Sequence, residues 1–248
     1  GSFAATVSNC RGGQPQKGRT VQIDLNADLG ESYGPWRMGE DAAMLDLVTS
    51  ANIACGGHAG DPDTMGETLL MARDRGVSVG AHPGYADPLG FGRRIIPMTP
   101  REIERMVATQ IGALLGGAAL AGVHVGYVKV HGALANLAAD DRTVADSVAR
   151  AVAAVSRDLA LLAISGTEQV AAGHAAGLPV YAEIFADRGY LANGRLVPRG
   201  KPGAMITDHA AAVARLAGFV QTGKMPVLVE DGHAARTVDM TGLAQKGG

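Results

Sequence analysis

The sequence predicts a TIM-like α/β fold, a seven-stranded parallel (β/α) barrel. Three observations predict it. From Val21 onward, short β-branched or apolar runs alternate with longer segments of helical period; nearly every run ends in glycine or polar residues; and no linker or low-complexity tract divides the 248 residues. An open doubly wound sheet also satisfies the alternation. Against it, no G-x-G-x-x-G turn opens a helix, and polar strand ends are not confined to two neighbouring strands. One barrel commonly takes about 250 residues. Residues 21–248 are therefore expected to form a single domain, and residues 1–20 a loose N-terminal extension.

Strand one, Val21–Asp28, alternates with period two, so Asp24, Asn26 and Asp28 share one face. A helix near Glu40–Thr49 leads to strand two, Ala51–Cys55. Asp61-Pro62 then gives an N-cap with proline at the first helical position, and Gly76 stops that helix before strand three, Val77–His82. Thr99-Pro100-Arg101-Glu102 is a capping box. Ile103, Met106, Val107, Ile111 and Leu114 follow at helical spacing, which predicts a helix to Ala121. After strand four, Tyr127–His131, the stripe Val144, Val148, Val152 and Val155 marks another helix. Strand five (Leu159–Ile164), a helix over Thr167–Ala176, strand six (Val180–Ala186), a helix over Asp208–Thr222 and strand seven (Val227–Asp231) complete the order.

Composition narrows the function. Hydrophobic residues at 47% against 19% charged can bury a large core. The net charge of -2 comes with no basic run to neutralise successive phosphates, which excludes nucleic acid as a partner. Cys10 and Cys55 sit in unlike contexts and give no disulfide framework. The first twenty residues lack the apolar core of a secretory signal and no membrane span is expected, so the cytoplasm is the expected compartment.

The strand ends carry the chemistry. A barrel gathers its C-terminal strand ends at one mouth, so Asp28, His58, His82, His131, Glu183 and Asp187 are the candidate catalytic residues. Asn26, Asn52, Lys129 and Arg188 are the candidate substrate-binding residues. Arg188 has two readings, a bidentate clamp on a substrate carboxylate or neutralisation of loop charge. Gly90–Arg94 and Arg199–Gly203 are cationic loops suited to an anionic ligand. Cys55, with no basic neighbour in sequence, reads as packing, and His233 stays a candidate. The P-loop-like spacing Gly218–Lys224 is discounted because Met225 replaces the required hydroxyl residue and the segment runs from helix to strand.

Asp24-Leu25-Asn26-Ala27-Asp28-Leu29-Gly30-Glu31, Ala51–Pro62, Gly80-Ala81-His82-Pro83, Gly90-Phe91-Gly92-Arg93-Arg94, Val128–Leu134, Glu183–Tyr190 and Pro202-Gly203-Ala204 together resemble the LamB/YcsF family over residues 21–235. The resemblance implies a barrel akin to the polysaccharide deacetylases and a role as one subunit of an ATP-dependent 5-oxoprolinase, which opens the 5-oxoproline lactam to glutamate. ATP would be a co-substrate and two companion subunits, of B and C type, the partners, with a homo-oligomer allowed. Asp28 and Glu183 would be the bases, the three histidines donors to developing charge, and Arg188 the holder of the substrate carboxylate. Val130 and Ala135 depart from the family's usual proline and aromatic, and Glu230-Asp231-Gly232-His233 from its usual histidine-glycine-aspartate. The aspartate that holds a metal in the related deacetylases is replaced here by Leu29, so a divalent metal is allowed for but not expected. A stand-alone metal-dependent deacetylase or other C–N hydrolase, and a non-catalytic ligand-binding subunit, remain the alternatives.

Overall fold

The computed structural model describes residues 3–7, 23–222, 224–227 and 236–239. Six parallel strands run in sequence order: β2 (Ile23–Leu29), β3 (Ser50–Ala54), β4 (Ser78–His82), β5 (Val125–Val128), β6 (Ala160–Ile164) and β7 (Val180–Phe185). The wall is closed by β1 (Phe3–Val7), which pairs antiparallel with both β2 and β7.

Two expectations are thereby corrected. Phe3–Val7 lies inside the stretch taken for a loose extension, yet it is a strand of the barrel. The expected seventh parallel strand does not join the wall, because β1 already occupies both free edges. Val227 instead ends β8 (Lys224–Val227), which pairs antiparallel with β9 (Arg236–Asp239) in a separate two-stranded sheet. The remainder of that expected strand, residues 228–231, lies outside the described residues, as does His233.

The helices follow their signals. Asp61 caps α2 (Pro62–Asp74), accepting from the Asp63 and Thr64 N–H groups at 3.0 Å each. Thr99 and Glu102 form the capping box of α3 (Pro100–Ala121). Along α3, Ile103, Val107, Ile111 and Leu114 are buried, each contributing roughly 1.5–3 kcal/mol of apolar burial. Helix α3 packs between α2 and α5 (Arg142–Val155), and α5 in turn meets α6 (Glu168–Ala175). The short α1 (Asp41–Leu45) and α4 (Gly132–Asp140) lie after β2 and β5. Helix α4 was not expected, because its apolar residues are mostly alanines and give little periodic contrast. Helix α7 (His209–Thr222) and β8 share a small core of Ile184, Tyr190, Phe219, Met225 and Val227.

Asp61 also accepts from the Gly34 N–H at 2.8 Å, so it holds the loop after β2 against α2. These backbone donors, Thr64 first, hold its carboxyl down to about 2. Asp61→Ala should therefore cost about 1 kcal/mol of stability at neutral pH in denaturant titrations. A carboxylate with a depressed folded pKa stabilises above its unfolded value of about 3.9 and loses that contribution as pH falls through the folded value. The gap between variant and parent should close as pH drops toward about 2.

Inside the barrel the residues are polar. Asp28, Asn52 and Gly80 sit at matching register on β2, β3 and β4. Gly80 is a steric requirement: a Cβ there would lie 2.2 Å from the Tyr127 ring, which crosses the interior to donate its hydroxyl to Asn52 Oδ1 at 2.7 Å.

Candidate active site

A cavity of about 640 Å³ opens at the C-terminal ends of the strands. Asp28, Glu31, His82, Lys129, His131 and Glu183 line its chemical wall. At its rim are Arg93 and Arg199, both exposed. A second cavity, of about 630 Å³, lies at the opposite end of the strands and includes Asp24, Ser50, Tyr127 and Tyr181. There Asp24 accepts from the Thr49 and Ser50 hydroxyls. The chemistry belongs to the first cavity.

Its centre is an ion chain. Lys129 Nζ lies 3.2 Å from Asp28 Oδ1 and 3.1 Å from Glu183 Oε2, the latter contact poorly aligned for a hydrogen bond, and it donates to Asn26 Oδ1 at 3.1 Å. Asn52 steadies the same carboxylate, its Nδ2 donating to Asp28 at 2.9 Å and to Asn26 at 2.7 Å. Three imidazoles stand beside the chain. His82 Nε2 is 3.4 Å from Asp28 Oδ1 and 3.0 Å from His131 Nδ1. His58 stacks on His131 with ring centroids 3.6 Å apart, and its Nε2 meets Glu31 Oε1 at 3.0 Å.

The loop after β4 clamps these rings. Phe91 adopts φ 53°, a left-handed conformation that costs a non-glycine residue of order 1–3 kcal/mol. That turn aims its carbonyl at His131 Nε2, 2.9 Å away. At Gly92 a Cβ would lie 2.8 Å from His58 Cβ, so only glycine lets the loop come this close.

Burial would raise the pKa of Asp28, but His82 and then Lys129 hold it well below the carboxylate range. Burial works against a charge on His82, yet the neighbouring Asp28 carboxylate outweighs it and raises its pKa. Burial, then the charge on His82, pushes His58 down to about 2 and His131 down to about 3. Glu31 is raised by burial and by Asp28; Glu183 is raised by burial, which outweighs Lys129. Lys129 is desolvated, but Asp28 and Glu183 keep it firmly protonated. The result is an ionised carboxylate beside the one imidazole that takes a proton readily. This is the arrangement a general base and its acid partner require.

With this geometry in view, the sequence profile of the LamB/YcsF family matches residues 23–238. The chain belongs to the LamB/YcsF family. Its relatives include the 5-oxoprolinase A subunit of Gluconobacter oxydans (strain 621H), 52% identical over 206 residues that make up 83% of this chain and 81% of that protein. The 5-oxoprolinase A subunit of Methylococcus capsulatus is 54% identical over 203 residues, covering 82% and 78% respectively. Among solved structures, the lactam utilization protein from Thermus thermophilus superposes with a TM-score of 0.81 at 41% identity, covering 90% of this chain and 92% of that one. No helix among the described residues is long and apolar enough to cross a membrane.

In this LamB/YcsF barrel the structure brings together Asp28, His82, His131, Lys129 and Glu183 at the cavity, with His58 directly behind His131. Other candidates fall elsewhere. Asn26 and Asn52 are fully buried beneath the cavity, and their amides bind each other and the ion chain, so they position Asp28 and Lys129 where substrate contact was expected. Arg188 touches the cavity, but its Nε and one Nη donate to the Ala204 and Val197 carbonyls at 3.0 and 2.8 Å, which makes it the pin of its own loop. Asp187 is outside the cavity lining, with its Oδ1 buried and without a hydrogen-bond partner. Cys55 is buried, and burial pushes its thiol up to about 12, as a packing residue requires.

Glu31 is the residue the reading of the strand ends missed. Its signal was present in Gly30-Glu31 directly after the polar end of β2: Gly30, at φ 66°, turns the chain, and Asp41 accepts from the Gly30 N–H at 2.8 Å to fix that turn. Glu31, His58, His82 and His131 each offer one ligand atom within 4.8 Å of the others.

Proposed function

We propose that this chain is the lactam-handling subunit of an ATP-dependent 5-oxoprolinase, opening 5-oxoproline to glutamate together with B-type and C-type companion subunits. The observation that carries the reading is the Asp28–Lys129–Glu183 chain with His82 at its side, facing a cavity of a size suited to small ligands, in a chain half identical to proteins named as the A subunit of 5-oxoprolinase. A lactam resists water because its nitrogen donates into the carbonyl. ATP transfers its γ-phosphoryl group to that carbonyl oxygen and leaves as ADP; a base then directs water to the carbon, the C–N bond breaks, and a second water frees phosphate from the resulting acyl phosphate. Asp28, kept ionised, takes the water's proton, and protonated His82 returns one to the leaving ring nitrogen. Lys129 offsets the negative charge that the phosphoryl group brings to the carbonyl oxygen. Arg93 and Arg199 at the rim meet the substrate carboxylate and the phosphates.

The reading is tested by combining the chain with B-type and C-type companion subunits, 5-oxoproline and ATP, and measuring glutamate and phosphate. Both products should appear together, and omission of this chain should abolish glutamate. If neither forms while a different A-type protein drives the same companions, the substrate assignment is wrong.

A further inference from the structure

Two of the three imidazoles face each other through their lone pairs. His82 Nδ1 lies 2.6 Å from the Lys129 carbonyl oxygen, and His131 Nε2 lies 2.9 Å from that of Phe91. A carbonyl oxygen only accepts, so these two nitrogens carry the hydrogens. In neutral rings that leaves His82 Nε2 and His131 Nδ1 bare, and they stand 3.0 Å apart. Two bare lone pairs at this distance repel unless a cation, either a proton on His82 or a metal ion, lies between them. A carboxylate completes the ring of donors: Glu31 Oε1 is 3.0 Å from His58 Nε2 and 3.6 Å from His131 Nδ1.

We propose that Glu31, His58, His82 and His131 bind one divalent transition-metal ion of the zinc type at the cavity wall. With metal–ligand bonds of about 2.0–2.1 Å, tetrahedral donors stand about 3.3 Å apart. The observed separations of 3.0, 3.0 and 3.6 Å straddle that value, and all four donors lie within 4.8 Å of one another. Three imidazoles with a single carboxylate select zinc, cobalt or nickel over magnesium and calcium, which favour all-oxygen sites. The backbone carbonyls behind His82 and His131 fix ring orientation and tautomer, as outer partners of metal-bound histidines do. His58 Nδ1 has no such partner, so His58 is the weakest of the three nitrogen ligands. Leu29 at the usual deacetylase position does not empty the site, because Glu31, beyond the Gly30 turn, supplies the carboxylate from the same loop. Glu31, His82 and His131 also line the cavity, which gives the ion one face toward a ligand. When bound there, such an ion polarises a carbonyl or phosphoryl oxygen. The inference uses the geometry of the site and not the lactam assignment, so either can fail while the other stands; with the ion bound, His82 Nε2 is a ligand and Asp28 passes the water's proton to the leaving nitrogen.

The test uses the full, untagged chain, stripped with a chelator, reloaded with Zn²⁺ or Co²⁺ and freed of excess by gel filtration. One ion per chain should remain by elemental analysis, and cobalt should show the intense visible bands of four- or five-coordination. Glu31→Gln, which preserves shape, should weaken binding and shift the cobalt spectrum. His82→Ala and His131→Ala should lower affinity by about 100-fold or more, and His58→Ala by less. Circular dichroism and melting of each stripped variant establish that it is folded. His124→Ala, away from the site, should change nothing. A folded chain that retains no ion, a cobalt spectrum of the hydrated ion, or binding indifferent to Glu31→Gln and His131→Ala overturns the proposal. In that case a proton on His82 fills the gap between the two nitrogens.

Discussion

Lys129→Met should lower stability more than any other single change at the site, and activity with it. The ammonium lies between two buried carboxylates, and removing one member of a buried ion group costs about 3–5 kcal/mol because the remaining charges lose their partner. Urea unfolding should show that loss, and Lys129→Met/Glu183→Gln should recover part of it by removing one orphaned charge. The sign of the pH dependence follows from Glu183. Its pKa is already raised in the folded chain and rises further without Lys129, so the folded state holds its proton more tightly than the unfolded one. Stability of the single variant then falls as pH climbs through and above the carboxylate range, and the deficit against the parent is smallest in acid. Glutamate release by the assembled enzyme, measured well below both melting temperatures, should drop at least about 100-fold, the scale for losing one preorganised charge stabiliser. A variant as stable as its parent would mean that the ion chain does not hold the barrel mouth together.

Asp28→Asn should act on the reaction more than on the fold, because Glu183 still faces Lys129. The substitution keeps the size of the side chain and an oxygen facing the Asn52 amide, 2.9 Å away, but removes the base. The turnover number should fall about 10²–10⁴-fold, with KM moving far less and the melting temperature falling less than in Lys129→Met. Full activity in the assembled enzyme would instead identify this chain as a carrier of ligand, with the chemistry done by a companion subunit.

Much of the site was legible because His82 ends β4 and His58 and His131 lie in the short turns after β3 and β5: a residue at the C-terminal end of a barrel strand has one place to go. The alternation in Asp24-Leu25-Asn26-Ala27-Asp28 likewise pointed all three polar residues inward, as the bonds from Ser50, Asn52 and Lys129 bear out. Depth was what the pattern withheld. Asn26 and Asp28 differ by one pleat, which separates a buried support from a cavity wall, and no rule of alternation tells the two apart. Arg188 kept two readings for a different reason, since a guanidinium in a loop satisfies carbonyls as readily as carboxylates and only the loop's path decides. In the fold, caps and apolar stripes located α2, α3 and α5 to within a residue or two. The closing strand escaped because Phe3-Ala4-Ala5-Thr6-Val7 has no alternation and precedes the regular βα repeat.

That closing strand runs against its neighbours, with Phe3 opposite Ala27 near the end of β2 and Ala4 opposite Phe185 at the end of β7. Phe3 therefore lies at the end of the barrel where the imidazoles and Lys129 gather. A purification handle fused there would stand in the doorway used by incoming ligands and docking proteins, whereas a fluorophore attached at the same point would sense their arrival.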